Sequence, residues 1–289
     1  MTLQTRPAQT AERTFRLGLI GGNITATRSP VLHLTCGLSL GRNVTYDLII
    51  PAERGASFAD LLSQCAKAGF DGVNVTYPFK EEALAHVPAG NAVVTAMGSA
   101  NTVRFTAEGP RAYNTDHSGF VAAYRKRFGT MAPGRVLILG TGGVGRAVAF
   151  GLADLGASEI VLFDTDPAKV ESLGAALHAH APTGITIRSS ADPADIRGFD
   201  GVANCTPLGM VGRPGSPLPP DAKGAPRWSF DAVYTPVDTV FRAQTEAMGA
   251  DFLEGYELYF HQGIDAFQIF TGLTVTDPDW VRGIITHRP

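Results

Sequence analysis

Residues 135–164 read RVLILGTGGVGRAVAFGLADLGASEIVLFD. A short apolar run, Val136 to Leu139, ends in glycines, a helical pattern follows, and a second apolar run closes on an acid, Asp164. This is the order strand, helix, strand. Gly140, Gly142 and Gly145 give the spacing G-x-G-x-x-G. The first glycine allows the tight turn out of the strand, the second lets backbone approach a pyrophosphate, and the third lets helix lie close on sheet. Together with Gly143 and Val144 they make the expected cofactor-binding turn. The helix start there directs free N–H groups and the positive end of its dipole at phosphates. Asp164 stands 24 positions after Gly140, where a carboxylate accepts hydrogen bonds from adenosine ribose hydroxyls and repels a 2′-phosphate. The unit reads as a dinucleotide site that takes NAD in preference to NADP. A glycine pattern alone can be an ordinary turn, and a strand-end acid alone can be a solvated carboxylate. The complete order of elements carries the reading.

Around this unit, 289 residues suffice for one large or two modest domains. A content of 44% hydrophobic and 18% charged residues is that of a soluble globular protein. A net charge of −3 supplies no basic field for nucleic acid or for a membrane surface, so neither is an expected partner. Cys36, Cys65 and Cys205 are odd in number and far apart, and the histidines form no ligand cluster, so a reduced cytoplasmic protein without a metal is expected. Residues 1–14 are polar, lack the apolar core of a signal peptide, and read as a flexible tail.

Upstream of the unit, Phe15, Leu17 and Leu19 alternate into Gly21 and Gly22 as a strand. Ser29 suits a helix N-cap, with Pro30 at the first helical position and Gly41 as the stop. VTYDLII reads as a strand, Ser57 caps a helix ending at Gly69, and FDGVNVT is again strand-like. Pro78 is expected to open a helix carrying Lys80, and NTVRF with RAYNTD resembles a strand pair whose end carries Asp116. A helix is expected from near His117. Downstream, DGVAN and WSFDAV read as buried strands flanking a loop rich in proline and glycine. The last long helix, about 256–270, spaces Leu258, Tyr259, Gln262, Ala266 and Ile269 along one side. Strands alternating with helices on both sides of residue 117 indicate two α/β layers with mostly parallel sheets.

In the first half, Lys80 and Asp116 are expected at the carboxyl edge of strands, where open α/β sheets bind ligands. An alcohol that loses hydride must also lose its hydroxyl proton, and a lysine beside a carboxylate can accept it. Each residue alone also fits a solvated lysine or a turn cap. Thr27 and Ser29 offer hydroxyls at a helix start, suited either to a substrate carboxylate or to capping. Asn74, Thr76 and Asn101, at strand ends, suit a polyol or a turn.

With these residues in view, the chain from about Phe15 to its C-terminus resembles the shikimate dehydrogenase family, which includes quinate/shikimate dehydrogenases. The matching stretches, in family order, are LGLIGGNITATRSPVLH, GVNVTYPFK, GSANTV, YNTDHSGF, LGTGGVGRAV, NCTPLGM, DAVYTP and HQGIDAFQIFTG. The resemblance implies an N-terminal α/β substrate domain (15–117), a Rossmann-type, doubly wound parallel-sheet domain for NAD(P) (118–254), and C-terminal helices (255–289) returning to the first domain. It implies Lys80 and Asp116 as the catalytic pair, Thr27, Ser29 and Tyr234 at the substrate carboxylate, and Asn74, Thr76, Asn101 and Gln262 at the ring hydroxyls. Thr206, Leu208 and Met210 are implied along the cofactor, with Gly255 near its nicotinamide.

Three departures stand out. Thr27 replaces a frequent serine, Leu258 a frequent methionine, and FDTD replaces the Asn-Arg-Thr pattern that holds a 2′-phosphate in NADP-using members. The expectation is an NAD-dependent oxidoreductase, monomeric or homodimeric, for shikimate and 3-dehydroshikimate, or quinate and 3-dehydroquinate. The competing readings are a non-catalytic regulator that binds NAD and a cyclohexene acid, and a divergent member acting on another polyhydroxy acid.

Overall fold

The structure is a computed structural model that describes residues 13–190 and 192–286. The expected flexible tail falls, for residues 1–12, outside the described residues; Arg13 is ion-paired with Asp71. The first layer runs β1 (Phe15–Ile20), α1 (Ser29–Ser39), β2 (Val44–Ile49), α2 (Pro51–Arg54), α3 (Phe58–Lys67) and β3 (Gly72–Val75). It continues through α4 (Ala83–His86), α5 (Ala92–Met97), β4 (Thr102–Thr106), β5 (Gly109–Tyr113) and α6 (Thr115–Phe128). Its strands make one sheet, β2-β1-β3-β4-β5, parallel from β2 to β3 and antiparallel thereafter. Because β4 runs backwards, its start lies at the same edge as the ends of β1 and β3. The register pairs Asn74 with Thr102 and Thr102 with Tyr113. This edge collects the polar residues of the site.

The second layer contains β6 (Arg135–Leu139), α7 (Gly143–Asp154), β7 (Glu159–Phe163), α8 (Pro167–His180), β8 (Thr186–Ser189), β9 (Gly201–Asn204), β10 (Trp228–Asp231), α9 (Val240–Ala247) and β11 (Asp251–Glu254). All pairings are parallel and the order is β8-β7-β6-β9-β10-β11. That is the doubly wound order, with its switch point between β6 and β9. Both faces of β6 are covered. Val136 and Ile138 pack with α7 residues Val148 and Leu152, while Leu137 and Leu139 pack with Phe241, which is why the strand reads as an unbroken apolar run.

The chain closes with α10 (Gly255–Thr271) and α11 (Pro278–Thr286). Apolar residues surround more of α10 than the single side expected: Leu258 joins the second-layer core, while Tyr259, Phe260, Phe267 and Phe270 pack with Leu17 and Leu32 of the first. Its close neighbour is α6, where a Cβ on Gly119 would lie 2.7 Å from the Gln262 nitrogen. The helices meet where only glycine fits. Residue 117, the expected domain division, lies inside α6.

Three local expectations are corrected. Ser29 is not the N-cap of α1, since Arg28 holds that place and no side chain caps the helix. Lys80 is not on a helix: residues 77–82 form turns, fixed by Phe79 N–H to the Thr76 carbonyl and Ala100 N–H to the Lys80 carbonyl. Asp116 does not end a strand, because β5 stops at Tyr113 and Asn114 caps α6 by accepting from the Asp116 and His117 N–H groups. In each case a tertiary contact or a neighbouring cap overrides the local pattern.

Glu257 ties α10 to its surroundings. It takes two hydrogen bonds from Arg282 of α11, at 2.5 and 3.0 Å, and pairs with Lys126 of α6 at 3.4 Å. Burial opposes its charge, but His261, Arg282 and Lys126 outweigh burial and hold the carboxyl at about 2, below its ordinary 4.5. A depressed carboxyl stabilises the fold fully above the unfolded value and loses that contribution as pH falls through the folded one. Glu257→Gln should therefore cost on the order of 1–3 kcal/mol at neutral pH. It should also flatten the loss of stability between about pH 4.5 and 2, as measured by denaturant melts across pH. An unchanged acid limb would remove Glu257 from this role.

Candidate active site

The site is built where the carboxyl edge of the first sheet faces the glycine turn of the second. Lys80 Nζ donates to Asp116 Oδ2 at 2.6 Å, with both side chains largely buried. The turn holds the lysine from one strand end, and Asn114 holds the aspartate in the first turn of α6. Asn114 is itself tied back through its Nδ2 to the Ser99 carbonyl. A Cβ on Gly143 would meet Lys80 Cδ at 3.1 Å. The glycine turn and the lysine are therefore neighbours.

Beside this pair lies a network of short polar groups. Asn101 Oδ1 accepts from Thr115 N–H at 2.7 Å and from the Thr102 hydroxyl at 2.9 Å, while its Nδ2 reaches Gln262 Oε1 at 3.5 Å. Gln262 Nε2 donates to the Tyr259 carbonyl. Asn74 accepts from the Tyr46 hydroxyl at 2.8 Å and donates to Thr102 Oγ1 at 3.3 Å. Thr76 lies at the same edge with its methyl against Gly21. Thr27 and Ser29 share a hydroxyl hydrogen bond of 3.1 Å. Tyr234 stacks on Tyr259 at a centroid distance of 5.0 Å, and burial raises its phenol above the ordinary range. The residues that the sequence suggested for substrate are thus gathered around one edge. Tyr46, Thr102, Thr115 and Asn114 were not singled out in sequence. Tyr46 alternates with Val44 and Leu48 on β2, a period-two signal that marks a face but no partner.

The residues around the glycine turn fit a dinucleotide. Gly140 is left-handed at φ 92°, and a Cβ on Gly145 would sit 2.0 Å from the Gly140 oxygen, so the turn and helix meet too closely for a side chain. Gly142 is the N-cap of α7 and offers no side-chain cap, and a Cβ there would meet nothing within 4 Å. The N–H groups at the start of α7 thus have no side-chain cap, and there is room beside Gly142, which suits a phosphate. Val144 packs against the second-layer core. Asp164 follows β7 and accepts from Thr141 N–H at 2.7 Å and the Thr141 hydroxyl at 3.0 Å through one oxygen, and from Asp166 N–H through the other. Burial opposes its charge, but these hydrogen bonds prevail and hold the carboxyl below its usual range. Across the switch point, Asn204 accepts from Thr206 N–H and hydroxyl and donates to the Leu208 carbonyl, shaping a loop on which Leu208 and Met210 are exposed. Gly255 starts α10 against β10, where a Cβ would lie 2.5 Å from the Asp231 oxygen.

Residues 19–103 match the family model described as the shikimate dehydrogenase substrate binding domain. A quinate/shikimate dehydrogenase (NAD(+)) of Corynebacterium efficiens is 33% identical, covering 92% of this chain and 95% of that protein. The chain belongs to the shikimate dehydrogenase family. A shikimate dehydrogenase (NADP(+)) of Arthrobacter sp. is 34% identical over 93% of both chains. Among solved structures, quinate dehydrogenase from Corynebacterium glutamicum in complex with NAD superposes with a TM-score of 0.83 at 30% identity, covering 94% of this chain and 99% of the other. The family's pairing of an N-terminal substrate domain with a Rossmann domain is thus the architecture of this chain. No helix among the described residues is long and apolar enough to cross a membrane, and among them no cluster of His, Cys, Asp and Glu is placed to hold a metal.

Thr27→Ala or Ser29→Ala should raise KM for a carboxylate substrate by about 10- to 100-fold, the worth of a lost hydrogen bond to a charged group. Affinity for the dinucleotide should change little, by titration of nicotinamide fluorescence. Lower thermal stability with unchanged KM would instead assign both hydroxyls to the loop alone.

Proposed function

We propose that this protein is a nicotinamide-dependent dehydrogenase that interconverts shikimate and 3-dehydroshikimate, or quinate and 3-dehydroquinate, with NAD preferred. The observation that carries the reading is the buried Lys80–Asp116 ion pair lying against the glycine turn. It unites a proton acceptor and a dinucleotide turn in one cleft.

Gly140 to Gly145, with Thr206, Leu208, Met210 and Gly255 alongside, would hold the dinucleotide, which when bound would supply the acceptor for the hydride leaving the ring carbon. Lys80 does the complementary work: as the neutral amine its Nζ takes the proton of the substrate hydroxyl as the carbonyl forms, and returns it in the reverse direction. Asp116 orients Nζ through its 2.6 Å contact and stabilises the ammonium that results. Thr27 and Ser29 hold the carboxylate, with Tyr234 beside them, while Asn74, Thr76, Asn101 and Gln262 hold ring hydroxyls. Their mutual hydrogen bonds keep the amides in fixed orientations before the acid arrives. In this scheme residues 15–117 hold the acid, residues 118–254 the dinucleotide, and residues 255–289 brace both in a reduced cytoplasmic enzyme. Asp164, with no arginine among residues 164–170, supports NAD, because a carboxylate disfavours a 2′-phosphate. Family members named for either cofactor occur among the relatives, so the choice turns on this position.

A catalytic role is favoured over a purely sensory one by the intact ion pair, which ligand binding alone does not require. Incubating the protein with NAD and each acid in turn, and following reduced nicotinamide by absorbance, tests the reading. Binding of both ligands without reduction would overturn it.

A further inference from the structure

The corner behind Thr27 and Ser29 holds more hydroxyl groups than a carboxylate uses. Tyr259, on the inner side of α10, is only 5% exposed. Its ring is stacked on Tyr234 and tilted against Tyr256 at 5.8 Å, within the cluster that includes Leu17, Leu32 and Tyr46. Its hydroxyl is buried and has no hydrogen-bond partner among the described residues, and Arg28 and Tyr46 are its charged and polar neighbours from the facing elements. Tyr46 is already committed to Asn74.

A buried phenol normally has its hydroxyl paired, and where packing is all that matters phenylalanine serves as well without an orphaned oxygen. The missing partner is thus a group brought in from outside. A carboxylate has about four lone-pair sites, and Thr27, Ser29 and Tyr234 are already assigned to its proposed place. Its lone pairs are therefore amply served. A phenol both donates and accepts, which suits an alcohol. We infer that the Tyr259 hydroxyl is a substrate contact for a hydroxyl on the same ring carbon that bears the carboxylate. Such a group exists in quinate, whose C1 is tetrahedral, and is missing from shikimate, whose C1 is a planar alkene carbon. Tyr259 is accordingly a specificity residue for the saturated hydroxy acid, an inference that rests on the substrate reading above.

Kinetics of wild-type protein and Tyr259→Phe with NAD and both acids test it. The variant should melt no lower than the wild type, since it loses only an unpaired oxygen. Its kcat/KM for quinate should fall about tenfold or more and that for shikimate by less than about threefold, the difference being one hydrogen bond to an alcohol. Equal falls for the two acids, or none for either, would overturn the assignment. Wild-type protein that oxidises shikimate but not quinate overturns the Tyr259 role while leaving the dehydrogenase standing. Wild-type protein that oxidises neither overturns both.

Discussion

Replacing Lys80 by methionine should lower kcat by about 10²- to 10⁴-fold, the usual worth of a positioned proton acceptor. NAD binding should change little, because the Lys80 atoms nearest Gly143 are side-chain carbons and its Nζ is engaged by Asp116. Lys80→Arg should not restore activity: a guanidinium stays charged and cannot take the hydroxyl proton. Asp116→Asn should also be severe. The double variant should lose far less than the product of the single losses, since the two groups act through one contact of 2.6 Å. A Lys80→Met protein with near-normal kcat would take Lys80 out of the mechanism.

Asp164→Ser should shift the ratio of catalytic efficiencies, NAD over NADP, by about 10²-fold or more toward NADP, because a like-charge contact costs on the order of several kcal/mol. The geometry adds a second consequence. Asp164 also accepts from Thr141 and Asp166, so the substitution loosens the glycine turn and should weaken NAD itself. A compensating comparison is Thr141→Val, which removes one hydroxyl from the carboxylate without removing the charge; it should weaken both cofactors alike and leave the ratio unmoved. Wild-type efficiency with NADP equal to that with NAD would end the argument from Asp164.

The glycine motif was legible because much of its constraint is local: a Cβ on Gly145 would meet the Gly140 oxygen within one turn, although Gly140 is also pressed by Cys205 and Thr206 across the switch point. Ser57 capping α3 was legible for the same reason. Lys80, Asp116 and Ser29 were found as candidates but placed on the wrong local structure. Pro78 has the look of a helix start, yet the Ala100 N–H holds the Lys80 carbonyl, a contact between separate segments that no window of sequence contains. Ser29 precedes a proline as N-caps do, but α1 begins early enough for the Leu32 N–H to bond the Arg28 carbonyl, leaving the Ser29 hydroxyl turned to Thr27. The partners of Tyr46 and Thr115 could not be read in sequence. Their significance comes from strand register and from α10 returning across the sheet, which brings Gln262 to Thr115 and Asn101.

Lys80 is held at both ends, its carbonyl by the Ala100 N–H and its Nζ by Asp116. A free lysine side chain loses roughly 1.5–2 kcal/mol of rotamer entropy on being fixed. Here that loss is incurred once, during folding, and does not recur with each substrate that binds. The amine is preorganised: the folding free energy of the first layer, not the binding energy of a ligand, sets the position of the atom proposed to receive the proton.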